Sequence, residues 1–100
     1  MSAPMDQADN HQVANIVQAM LGSISWNFRA VSLVSDEASA VLYFVLEQDH
    51  PEDREEIADI VFEFEALQTS NIDVNVVIAV SSGPMTLDTP GRLVYLRKES

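Results

Sequence analysis

The sequence predicts an α+β domain in which two helices pack against one four-stranded, mostly antiparallel sheet. Three observations lead there. Apolar residues make up 47% of the 100 positions and charged residues 21%, ordinary globular usage in a chain with room for one core. Apolar positions recur at helical spacing in two segments and as β-branched or aromatic runs in four, in the order αββαββ. A short polar link, residues 35 to 39, separates the first two strand-like runs and fits an antiparallel hairpin.

Residues 1 to 8 read as a flexible lead and residues 9 to 100 as the single domain. Asp9 or Asn10 can cap the first helix, after which Val13, Ile16, Val17, Met20 and Leu21 form an apolar stripe and Gly22 offers a stop. Residues 24 to 34 read as a strand in which Trp26, Phe28 and Ala30 alternate with Asn27 and Arg29. The SDEAS turn is built from side chains that bond their own backbone, and residues 40 to 46 form the second strand. Pro51 suits a helical first turn behind Asp49 or His50, and the helix runs to about Gln68. Residues 74 to 80 form a third strand, 81 to 91 a loop marked by Pro and Gly, and 92 to 97 a fourth strand.

The second helix carries seven carboxylates between residues 50 and 67 against one arginine, Arg54. At about 100° per residue, Ile57, Ile60, Val61, Phe64 and Leu67 share one arc and form the core face. Glu52, Glu56, Asp59 and Glu63 form a stripe beside it, with Glu55 just outside. Early acids suit the positive end of the helix dipole. Like charges at spacings of three and four oppose the helix by a few tenths of a kcal/mol per pair, so the stripe is not optimised for helix stability. Phe62 projects away from the core arc, near Glu55 and Asp59. Either it packs beneath the first helix or the long loop, or it is an apolar anchor in an acidic binding face.

Composition narrows the function. A net charge of -11 opposes direct contact with nucleic-acid phosphates and favours a basic protein partner. The absence of cysteine removes disulfides, thiolate metal sites and cysteine nucleophiles. His11 and His50 have no spaced ligand partner, the serines lack a nucleophile-elbow setting, and three glycines make no phosphate loop. No enzyme, cofactor or metal is therefore expected. No apolar run reaches the roughly 20 residues of a membrane span, and the polar, acidic start is unlike a secretion signal, so the cytoplasm is the expected compartment.

One resemblance adds to this reading. Trp26 to Ala30 followed by VSLVSD, then LYFVLE, HPEDREEIADIV and the closing GRLVYLRKE, covering residues 24 to 99, are together similar to a family of small bacterial proteins. That family resembles the immunity proteins of contact-dependent growth inhibition and related polymorphic toxin systems. The resemblance implies a small cytoplasmic protein that binds and blocks a cognate toxin domain, often a nuclease. Nuclease domains are usually basic because their substrates are polyanions, so an acidic inhibitor would attract and occlude such a surface. Glu52, Glu55, Glu56, Asp59, Phe62 and Glu63 are the residues expected to face the partner. Two alternatives stay open: a small intracellular adaptor whose charge serves solubility, and a homo-oligomer paired through the sheet edge, with Arg92, Arg97 and Lys98 bonded to a neighbour's acids.

Overall fold

The computed structural model describes residues 4–84 and 89–99, with side chains from residue 10 onward. Its elements follow the order αββαββ: α1 (Pro4–Met20), β1 (Phe28–Ser35), β2 (Ser39–Leu46), α2 (Pro51–Ala66), β3 (Asp73–Val80) and β4 (Arg92–Leu96). Helix α1 thus begins ahead of the expected cap at Asp9 or Asn10. The loop expected over residues 81 to 91 is described at both ends, and residues 85–88 lie outside the described part.

Local chemistry explains each boundary. Gly22 takes φ +79°, and the Ser23 amide donates to the Met20 carbonyl at 2.9 Å, which closes α1. Asp36 Oδ1 accepts the amides of Ala38 (2.8 Å) and Ser39 (2.9 Å), the side-chain-to-backbone turn that SDEAS predicts. His50 occupies the N-cap of α2 with Pro51 behind it. Gly91 opens β4 at φ +79°, where a Cβ would lie 2.2 Å from the Leu33 carbonyl oxygen, so no other residue fits.

The strand order is β3-β2-β1-β4. β1 pairs antiparallel with β2 and with β4, whereas β2 and β3 run parallel. The sheet is therefore mixed, a correction to the mostly antiparallel arrangement expected. The cause is α2: a sixteen-residue helix carries the chain back along the sheet, so β3 starts at the end where β2 started. The hydrophobic core lies between one face of the sheet and the helices. The sheet contributes Phe28, Val31, Leu33, Leu42, Phe44 and Leu46, α2 adds Ile57, Ile60 and Phe64, and α1 adds Ile16, Ala19 and Met20. Phe28 and Phe44 meet edge to face, centroids 6.2 Å apart.

The first strand differs from its expected alternation. It starts at Phe28, and Asn27 and Arg29 are buried while Trp26 stands exposed. A register shift between Phe28 and Ala30 turns Arg29 inward to partners that come from distant segments. Arg29 grips Glu99 through Nε (2.9 Å) and Nη2 (2.8 Å), and its Nη1 donates to the carbonyls of Ser81 and Gly83. Arg97 donates to the Trp26 carbonyl, to Glu47 and to Glu99, and its guanidinium lies 4.6 Å from the Trp26 ring centre. The two quoted motif ends, Trp26 to Ala30 and LRKE, are thus one brace in space.

Candidate interaction face

The outer side of α2 follows from its inner side. Ile57, Ile60 and Phe64 are fully buried, and Val61 and Leu67 pack half-buried against the core, so the arc read from spacing is the packed one. The opposite side must then face water or a partner. Glu52, Glu55, Asp59 and Glu63 are exposed there and Glu56 is half-buried. Phe62 stands among them, 70% exposed. Among the described residues nothing packs over it: α1 does not cover it, and residues 85–88 of the long loop lie outside the described part.

Arg54 does not neutralise this side. Its guanidinium is engaged by Asp49, an ion pair that holds the Asp49 carboxyl below its usual range. The carboxylates of the stripe therefore keep their field directed outward. Across from Phe62, the end of α1 supplies Leu21, 74% exposed, so that Phe62, Leu21, Ala19, Asp59 and Glu63 border one shallow depression between the helices. Val17 and Leu21, expected on the apolar stripe of α1, face outward instead. The buried stripe is Gln12, Ile16, Ala19 and Met20; Val17 lies one step around the helix, and Leu21 follows its last turn. The apolar group on this side is thus shared by two helices and rimmed by carboxylates, a form suited to protein recognition.

Two polar residues inside the fold hold α2 in place, Asp53 and Asn27. Asp53 is buried, accepting Ser25 Oγ at 2.9 Å and Asn27 Nδ2 at 2.8 Å. Asn27 also donates to the Gln48 carbonyl and accepts the Gln48 amide. Asp53 is also one of the two acids in the first turn of α2. The spacing 53, 57, 60, 64 puts it on the core arc, a signal available in the sequence. At the other end of α2, Gln68 and Gln12 exchange amide hydrogen bonds at 2.7 and 2.9 Å and tie the helices together.

Other chemistry finds no setting among the described residues. No group of three or more His, Asp or Glu side chains is placed to hold a metal ion. His11 and His50 are exposed, and His50 Nε2 meets Gln48 Oε1 at 2.9 Å. No helix is long and apolar enough to cross a membrane. Arg97 is bonded within the chain and Arg92 Nη1 donates to Asn10, so two of the three cations considered for a neighbour's acids, Arg92 and Arg97, have intramolecular partners.

Comparison with known proteins adds one match. Residues 9–99 fit the family model described as MafI2 immunity protein, nearly the whole chain. No curated protein matches the sequence.

Proposed function

The chain belongs to the MafI2 immunity protein family, and from that membership we propose that it binds a basic, nuclease-type toxin domain through the outer face of α2 and blocks it by occlusion. The observation that carries the reading is Phe62, a large aromatic side chain exposed among carboxylates while the core is filled without it. Glu52, Glu55, Glu56, Asp59 and Glu63 would steer a cationic surface toward this face, and Phe62, with Leu21 beside it, would be buried on contact. No bond is made or broken; the toxin is inhibited because its substrate and this acidic face compete for the same positive surface. The cytoplasm is the place of action this reading implies, since a nuclease meets its substrate there.

The test is a search of the neighbouring genes for one that ends in a toxin domain, co-purification with that domain, and rescue of cells that express it. Phe62→Ala separates an anchor from a packing residue. Affinity is expected to fall by about 2 kcal/mol or more, roughly thirtyfold, with folding stability unchanged within about 0.5 kcal/mol. Unchanged affinity and lost stability would overturn the placement. Failure of both co-purification and rescue would return the chain to the adaptor reading.

A further inference from the structure

The sheet has an unguarded edge. β3 pairs with β2 on one side and has no strand on the other among the described residues. The amides of Asp73 and Ser81 both donate toward the β2 side, to the carbonyls of Ala38 and Leu46, each at 2.9 Å. Backbone groups of a strand alternate between its two edges, so Val74, Val76, Ile78 and Val80 turn their N–H and C=O groups to the open side. Edge strands are commonly protected by Lys, Pro, a bulge or short length. DVNVVIAV has none of these: it is eight residues long, in unbroken register with β2, and its single charge is Asp73 at the start.

The same four residues also set the side-chain pattern. They pair with Ala40, Leu42, Phe44 and Leu46, all buried on the helix side of the sheet, so their own side chains lie on that side. Because β3 extends beyond the cover of α2, a groove opens between them, lined by Ile57, Ala58, Val61, Val76 and Ile78, with Phe62 and Glu65 also along it and Arg54, its charge engaged by Asp49, at its border. An added strand would find both hydrogen-bond partners and an apolar floor for every second side chain.

We propose that this edge receives an extended segment of the toxin, which pairs with β3 as a fifth strand and lays alternate apolar side chains into the groove. The inference deepens the function proposed above and rests on it. Charge decides the occupant. A second copy of this chain would bring a further net charge of -11 and its own Asp73 and Glu65 to the edge. A segment carrying Lys or Arg between β-branched or aromatic residues meets those acids favourably. Phe62 borders this groove and also the depression beside α1, so one partner seated on the crest of α2 reaches the edge as well.

The experiment is residue-resolved amide exchange on the native protein, free and saturated with a catalytically inactive form of the toxin domain that co-purifies with it. The amides of Val74, Val76, Ile78 and Val80 are expected to exchange about tenfold slower or more in the complex. A complex that forms while those four amides exchange as in the free protein overturns edge pairing and leaves the proposed function standing. Absence of any complex overturns both. Slowing of the same amides with protein concentration alone identifies a second copy as the occupant and also overturns the proposal. Val76→Pro supplies the second arm, because proline is tolerated where the N–H points off an edge. It should leave the melting curve near that of the wild type and weaken toxin binding by about tenfold; full affinity in the folded variant counts against the proposal.

Discussion

Asp53 shows how one carboxylate can serve the fold while its neighbours stay outside it. It begins the buried series 53, 57, 60, 64 and joins the start of α2 to the segment before β1 through Ser25 and Asn27. Burying a carboxylate is tolerable only because both oxygens accept hydrogen bonds. Asp53→Ala removes both acceptors and leaves donors to find water at a crowded site. The expected loss is about 2 kcal/mol of folding stability, read as a lowered denaturant midpoint with unchanged slope. An unaltered unfolding curve would show that the helix is seated by its apolar side chains alone. Phe62 is the converse case, a residue whose removal should be felt in binding and hardly at all in folding.

At the scale of an element, α2 is two surfaces that obey different rules. Its inner arc gains stability from burial, and its outer arc gives up a little through like-charge crowding. If that crowding serves steering, it should appear in kinetics. Glu55→Lys combined with Asp59→Lys, both exposed, is expected to lower the association rate with a basic toxin domain by about tenfold or more at low ionic strength. The dissociation rate should move less, and the effect should shrink as salt is added. A rate indifferent to the double reversal would move the contact surface away from this side of the helix. The core arc was legible from spacing because α2 needs nothing but its own sequence to choose a face. The parallel course of β3 was not, because pairing depends on where the helix delivers the chain rather than on DVNVVIAV itself.

Across the whole molecule, long-range polar contacts decide what periodicity cannot. Arg29 and Glu99 are seventy residues apart in sequence, so no local pattern around β1 could place Arg29 inside. Trp26 was misplaced for the same reason: its ring serves Arg97 rather than the core. Phe62 lay midway, since helical angle put it off the core arc but the positions of α1 and of the long loop, neither legible in α2, decide whether anything covers it. The brace has a pH signature. The hydrogen bonds from Arg29, aided by those from Arg97, lower the Glu99 carboxyl from 4.5 to about 2. A depressed carboxylate contributes its stability fully above the unfolded value and loses it as pH falls toward the folded one. The gap in melting midpoint between wild type and Glu99→Gln should thus hold steady above about pH 4.5 and close by about pH 2. A gap unchanged through that range would show that the carboxylate's charge contributes nothing. The brace also bears on synthesis. A ribosome releases β1 long before β4 and Glu99, so the nascent chain carries Arg29 uncompensated and one flank of β1 unpaired until those residues emerge. Half-made copies would thus be good substrates for chaperones and proteases, and protection against a toxin would count only finished molecules.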